Sequence, residues 1–436
     1  MTYQSALTFL DSLVNYEKLT KPRDDFKLDD IRQLLARAGN PQEQLKNVIL
    51  VAGTKGKGSV CYMLDAALRG CGLTTGLFVS PHVLSVRERI QLDGRLLSPQ
   101  VFARQVERLE PLARKQPVSY FEMTAAMAFD LFARRELDYQ VVEVGLGGRL
   151  DATNLSAPQI SVITRIGYDH VKVLGDTLRK IAREKAGIMR SGKPVVVSAQ
   201  APEAGAELVC RARVAEARLV PSGSRVRIRG VRTLPTGVSF EVASQLGQGR
   251  INLPLLGRHQ VENCRTALAV LDLLARSDKR INLAAITKGL AGVSIPARCQ
   301  IVSRRPFIMV DSCHNPESGR ALANVIRDHL GKKVVLVYGS LAGKLVEQTV
   351  RPLVPLAERA ILVQPDSPRA MPLPELRRIF TGLGVPCVTA ASIPAALSLA
   401  RDSSLGTGHS SLPVIVAGSF YLGGEALKLL TGRGRK

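Results

Sequence analysis

The sequence contains no tryptophan and few other aromatics, 4% in all, so it lacks the interleaved stacking side chains with which proteins grip single-stranded nucleic acid. No apolar run reaches the roughly 20 residues of a membrane-spanning helix, which excludes that class of membrane protein. The opening stretch MTYQSALTFLDSL has no basic region followed by a continuous apolar one, so it does not read as a signal peptide. The seven cysteines are Cys61, Cys71, Cys210, Cys264, Cys299, Cys313 and Cys387, an odd number, widely spaced, with no CxxC pair. That spacing argues against a disulfide framework or a zinc site and for reduced, mostly buried thiols in a cytoplasmic protein. Internal repeats and low-complexity tracts are missing as well.

Acidic residues are also in short supply: 37 against 60 Lys and Arg, a formal charge of +23. Such an excess invites a nucleic-acid role. The basic residues are nevertheless dispersed along the chain. The densest stretch, Arg211 to Arg232, alternates arginine with apolar residues in Arg225-Val-Arg-Ile-Arg229, the pattern of a half-exposed strand. A positive field serves a polyanionic small substrate equally well, and nucleic acid is not the expected partner.

What is present is the pattern of a two-domain α/β protein; 436 residues exceed the size at which one core keeps growing. An amphipathic helix is expected over 27–38. Apolar runs at 47–52, 75–79, 139–144, 161–165 and 194–198 read as buried strands, with helices at 101–112, 121–135 and 177–189 between them. This alternation predicts βαβ units and a mainly parallel sheet. Short alternating runs over 225–255 predict a small antiparallel meander, followed by a helix at 260–275. Strands at 307–310, 334–338, 360–363 and 414–417 predict a second α/β domain from residue 297, ending in a frayed tail at 431–436.

Four clusters carry chemistry. Gly53-Thr-Lys-Gly-Lys-Gly-Ser59 lies between a strand and a helix, where backbone N–H groups and the helix N-terminus receive phosphate oxygens. Lys57 can neutralise the terminal phosphates there; the bland alternative is a tight turn with a chance lysine. Glu143 ends an apolar strand, ahead of the glycines at 145, 147 and 148, which could form a second phosphate-side turn. A buried carboxylate needs a cation, either a metal or, as the bland alternative, Arg149. His170, after the 161–165 strand, stands at the carboxyl edge where α/β ligands bind and is as readily structural as a ligand. Lys185, by spacing alone, reads as a surface lysine. In the second domain Asp311 and His314 follow a strand, and Cys313 beside His314 raises a nucleophilic-thiol reading that lacks a second base.

Taken together, ARAGNPQEQLKNVILVAGTKGKGSV, SPHVLSVRERI, SYFEMTAAMAF, VVEVGLGGRLDATN, GYDHVKVLGDTLRKIAREKAGI, LLGRHQVENCRTAL, VDSCHNPESGRAL, QPDSPRAMPLPEL and VAGSFYLGGEAL resemble, in order and almost end to end, the folylpolyglutamate synthase/dihydrofolate synthase family of the Mur ligase superfamily. The resemblance implies an α/β architecture: a P-loop, Mur-ligase-like ATPase domain (1–296) with a small antiparallel β appendage, and a C-terminal Rossmann-like glutamate-ligase domain (297–436). It implies an ATP-dependent carboxylate–amine ligase that phosphorylates a folate or dihydropteroate carboxylate and joins it to L-glutamate, with magnesium as cofactor. Matching positions assign Thr54, Lys55, Gly56, Lys57, Gly58, Ser59, Asn263, Arg298 and Asp311 to ATP, and Ser80, Glu143 and His170 to the metal. Lys57, Lys185 and His170 would be catalytic, Lys185 as a carbamylated lysine (N6-carboxylysine). Ser119, Tyr120, Phe121, Glu122, Met123 and Leu150 fall where the pterin substrate is expected, and His314 and Ser419 where the incoming glutamate is.

Departures accompany the resemblance. Lys55 stands where family members commonly have Asn, Asp-Ser-Cys-His-Asn replaces Asp-Gly-Ala-His-Asn, Pro-Ala-Arg replaces Pro-Gly-Arg, and Ala342-Gly-Lys344 replaces a frequent Asp-Lys-Asp. The expectation is a cytoplasmic, monomeric enzyme with no membrane partner. The rivals are a related ligase acting on another carboxylate and a catalytically silent nucleotide- or nucleic-acid-binding protein.

Overall fold

The computed structural model describes residues 1–16, 27–405 and 412–432. Residues 433–436, most of the expected frayed tail, lie outside the described residues, while Thr431 closes the last helix. In the first domain the apolar runs become strands because each is buried on both faces of one sheet: β1 (Val48–Ala52), β2 (Thr75–Phe78), β5 (Tyr139–Glu143), β6 (Pro158–Ile163) and β7 (Pro194–Val197). Three strands were not foreseen: β3 (Ile90–Leu92), β4 (Arg95–Leu96) and β8 (Arg218–Pro221). They are two to four residues long and lie at the sheet margins, so they carry no continuous apolar signal.

The sheet order is β4-β3-β2-β5-β1-β6-β7-β8, antiparallel at β4/β3/β2 and parallel from β2 onward. Its central strand β1 runs between β5 and β6, pairing Leu50 with Val142 and Ser161. The loops that follow these three strands therefore emerge together at one edge, where α/β sheets bind ligands. One core lies under the helices Pro99–Ala113 and Tyr120–Ala133; the other lies under Lys57–Gly70 and His259–Leu274.

The predicted meander is a three-stranded sheet, β9 (Arg227–Leu234), β10 (Gly237–Ser244) and β11 (Gly247–Leu253), whose Val238, Phe240, Val242, Ile251 and Leu253 join the second core. The second domain is a six-stranded sheet ordered β12-β13-β17-β14-β15-β16: β12 (Gln300–Arg304), β13 (Phe307–Val310), β14 (Val334–Tyr338), β15 (Ala357–Leu362), β16 (Cys387–Thr389) and β17 (Val414–Ala417). Only β12 is antiparallel to its neighbour. Seven free thiols are found, four of them buried, as their spacing suggested. No helix among the described residues is long and apolar enough to cross a membrane.

Candidate active site

The glycine loop is pinned from beneath. Thr54 and Lys55 donate their backbone N–H groups to Arg165 O at 3.1 and 3.0 Å, and Thr54 Oγ1 donates to Gly167 O at 3.1 Å. Gly53 and Gly56 have positive φ, and a Cβ on Gly56 would lie 2.2 Å from Asn263 Oδ1. Asn263, assigned to ATP by resemblance, thus packs against the loop itself. Lys57 and Gly58 begin the Lys57–Gly70 helix, and Ser59 is buried in its first turn.

Lys57 Nζ stands 4.0 Å from Glu143 Oε1 at the end of β5. Glu143 is 4% exposed, and burial raises its carboxyl pKa; the positive charges of Lys57, Arg298 and Arg89 oppose that rise. Its other oxygen accepts the backbone N–H of Ser80 at 3.1 Å, which sets these two residues side by side. The Arg149 reading of Glu143 is wrong. Arg149 pairs with Glu184 at 3.2 Å, because it lies past the glycine turn, beside the helix Leu178–Ala186.

That helix overturns the surface reading of Lys185, which is 4% exposed. Burial first, then the neighbouring charge of Lys57, lowers the ammonium to about 7, against the opposing pull of Asp169 and Asp151. Lys185 lies four residues after fully buried Ile181, so the folded helix turns it onto the buried stripe, where its spacing between Glu184 and Gly187 suggests the surface. The turn at 145–148 covers it: a Cβ on Gly148 would lie 2.9 Å from Lys185 O and 2.7 Å from Glu184 O. Asp151, buried, holds this turn by accepting the N–H groups of Leu146 and Thr153 at 2.8 and 3.0 Å.

His170 is more open, its side chain 60% exposed, with Nε2 3.8 Å from Asp169 Oδ1. Desolvation lowers its pKa, with Asp169 opposing. Of the stretch Ser119–Met123, Ser119 and Glu122 cap each other in a capping box, and Tyr120 and Met123 are buried. Phe121 alone of these reaches the site edge, where a Cβ on Gly145 would lie 2.5 Å from its ring. Leu150 is half-buried in the same turn region.

From the second domain, Arg298 donates to Ser312 Oγ at 3.1 Å and lies 5.1 Å above the Phe420 ring. Asp311 accepts the backbone N–H groups of Cys299 and Cys313, both at 2.8 Å, and so fixes the turn that carries Arg298. His314 Nδ1–H donates to Ser312 O at 2.8 Å, and burial drops its pKa to about 4. A neutral imidazole remains, its Nε2 accepting a long hydrogen bond from the Asn315 amide at 3.5 Å. Ser419, 2% exposed, caps the helix Phe420–Thr431 by accepting Leu422 N–H at 3.1 Å. Cys313 is buried and its thiol is pushed up to about 12 by burial, then by Asp311, which removes the nucleophilic reading. Sequence reasoning did not single out Arg89, Asp151, Asp169 or Glu317, all of which bear on this cluster; each stood inside a quoted motif.

Residues 51–271 match the Mur ligase middle domain and residues 297–420 the Mur ligase glutamate ligase domain. The chain is 31% identical to the Escherichia coli dihydrofolate synthase/folylpolyglutamate synthase over 99% of its own length and 98% of the relative's. It is 30% identical, over 98% of its length, to a Halobacterium salinarum probable bifunctional folylpolyglutamate synthase/dihydropteroate synthase, and it spans 51% of that longer relative and about half of its Haloferax volcanii counterpart. Mycobacterium tuberculosis folylpolyglutamate synthase complexed with ADP and AMPPCP superposes with a TM-score of 0.87 at 29% identity, covering 98% of this chain and 99% of that one. Escherichia coli FolC in complex with DHPP and ADP gives 0.83 at 29% identity, covering 100% of this chain and 99% of that one.

Proposed function

The chain belongs to the folylpolyglutamate synthase/dihydrofolate synthase family of the Mur ligase superfamily, and from that premise we propose that it joins L-glutamate to a folate or dihydropteroate carboxylate at the expense of ATP. Residues 1–296 act as the ATP-binding unit and 297–436 as the glutamate-ligase unit of a cytoplasmic monomer. The observation that carries the reading is the Lys57–Glu143 pair at the phosphate loop, a pair whose carboxylate also feels Arg298 of the second domain.

The loop amides and Lys57 hold the nucleotide's terminal phosphates. The substrate carboxylate oxygen attacks the γ-phosphorus, ADP leaves, and an acyl phosphate forms. The glutamate amine then attacks the acyl carbon, phosphate leaves, and the nitrogen loses a proton. Lys57 offsets charge at the transferring phosphoryl group. Neutral His314, beside Phe420 at 5.3 Å, offers Nε2 to the incoming ammonium. Enclosure between the domains keeps water from the acyl phosphate.

Magnesium fits the donor chemistry. Among the described residues no group of three or more His, Cys, Asp and Glu side chains is arranged to hold a metal. A cation would rest on Glu143 and Ser80 together with phosphate oxygens, the hard oxygen donors magnesium favours, with the His170 nitrogen as a softer additional ligand. Bound there, it would supply charge compensation for phosphoryl transfer. Lys185, with a free-base fraction near neutral pH, is suited to take up CO2 as a carbamate.

ADP release measured with dihydropteroate and with tetrahydrofolate, each with and without L-glutamate, tests the reading. Turnover that requires both glutamate and one pterin is expected; nucleotide binding without glutamate-dependent turnover would contradict it.

A further inference from the structure

Lys55 occupies the second side chain of the phosphate loop, yet its ammonium faces two carboxylates. Nζ lies 3.4 Å from Asp169 Oδ2 in its own domain and 3.6 Å from Glu317 Oε2 in the other. Glu317 stands in the first turn of the helix Pro316–Val325, directly after the segment 311–315 that carries Asp311 and His314. Its carboxylate also seats against the other domain's backbone, where a Cβ on Gly167 would lie 3.0 Å from Oε1. Glu317 Oε2 is shielded from solvent and has no hydrogen-bond partner among the described residues, leaving the Lys55 ammonium as its compensating charge.

The loop that Lys55 belongs to is itself pinned to Arg165 and Gly167. A single cation therefore ties the phosphate loop, the 165–170 turn and the start of the second domain's Pro316–Val325 helix. We propose that Lys55 acts through its side chain as a domain-positioning residue: its bridge to Glu317 sets the distance between the phosphate loop and the His314 segment. An asparagine at this position could not supply that charge. The kinetic part of this proposal rests on the ligase reading above, while the structural part does not.

Lys55→Asn, Glu317→Gln, the double variant and Lys55→Arg test it in two ways. Hydrogen–deuterium exchange on the substrate-free full chain should show the amides of 312–318 exchanging several-fold faster in Lys55→Asn and in Glu317→Gln. The double variant should be no faster than the quicker single one, and Lys55→Arg should lie near wild type. In turnover, the KM for L-glutamate should rise several-fold in both single variants, while the KM for ATP stays within twofold in Glu317→Gln. Unchanged exchange at 312–318 in both single variants would overturn the bridge. A rise in the KM for ATP confined to Lys55→Asn, with Glu317→Gln unaffected, would instead make Lys55 a nucleotide contact and overturn the proposal. Absence of glutamate-dependent turnover in the wild type would overturn the ligase reading and leave the exchange result to decide the bridge.

Discussion

Lys185 shows how a single residue carries stability in one direction and chemistry in the other. Its folded-state value of about 7 lies below the ordinary 10.5 because the ammonium is buried beside Lys57. Between those two values the unfolded chain holds a proton that the folded chain has released, so stability rises with pH across that window. Below about 7 the penalty is fully present. Lys185→Met should therefore raise stability by on the order of a few kcal/mol at pH 6.5 and by much less near pH 10, while abolishing glutamate-dependent turnover. Calorimetric unfolding of both proteins in CO2-depleted buffer at the two pH values checks this; a variant less stable than wild type at pH 6.5 would contradict it. The trade of stability for function is what a polar site within a buried surface leads one to expect. At this scale the sequence was legible where charge and period agreed, as at Lys57 after its glycines. It misled at Lys185, whose spacing and charge both suggested solvent, while the folded helix carries it inward with Ile181.

Between elements, the site depends on contacts that glycine alone allows. The turn after β5 lies so close to the end of the Leu178–Ala186 helix that a Cβ on Gly148 would meet Glu184 O at 2.7 Å and Lys185 Cα at 3.0 Å. Gly148→Ala must push this helix end outward, and Lys185 with it. We expect a loss of about 1–3 kcal/mol in stability and a fall in kcat at least tenfold, with nucleotide affinity nearly unchanged because the Lys57 loop is pinned separately through Arg165. Chemical denaturation and nucleotide titration of the same preparation distinguish the two effects. The central strands could be read from the sequence because burial on both faces makes them uniformly apolar. The marginal strands β3, β4, β8, β12 and β16 could not, since short, partly exposed segments lack that signal. The glycines of 145–148 were visible, but read as a second phosphate-side turn; nothing local identifies the helix end that Gly148 packs against.

Across the whole molecule, several contacts among the described residues set how the domains meet, the Arg258–Asp328 pair at 3.5 Å among them, and three bear on the site. At one, His329 Nδ1–H donates to Leu234 O at 2.8 Å, and its Nε2 accepts Gly257 N–H at 3.0 Å. At the second, Lys55 faces Glu317. At the third, the helix Phe420–Thr431 rests on the segment after β2, with a Cβ on Gly424 placed 2.3 Å from Val83 O. Val83 and Leu84 pack into the second domain's core there, only three residues beyond Ser80. This third contact joins the helix that Ser419 caps, and that carries Phe420 beside Arg298 and His314, to the chain leading from Ser80 and Glu143. Enlarging it should perturb the second domain's core at Val83 and Leu84 while leaving the first domain's phosphate loop in place. In Gly424→Ala the helix must lift from Val83, since backbone cannot yield as a flexible side chain does; the cost is about 1–3 kcal/mol at the interface. Nucleotide affinity should fall less than glutamate affinity, because Gly53–Ser59 and Asn263 lie wholly in the first domain and only Arg298 and Asp311 of the expected nucleotide contacts lie in the second. The KM for L-glutamate should rise at least fivefold, because Ser419 and His314, which lies against Phe420, move with the displaced helix. Calorimetric nucleotide titration beside steady-state kinetics tests this, and a variant that loses nucleotide binding while keeping its glutamate KM would reverse the assignment of the two roles.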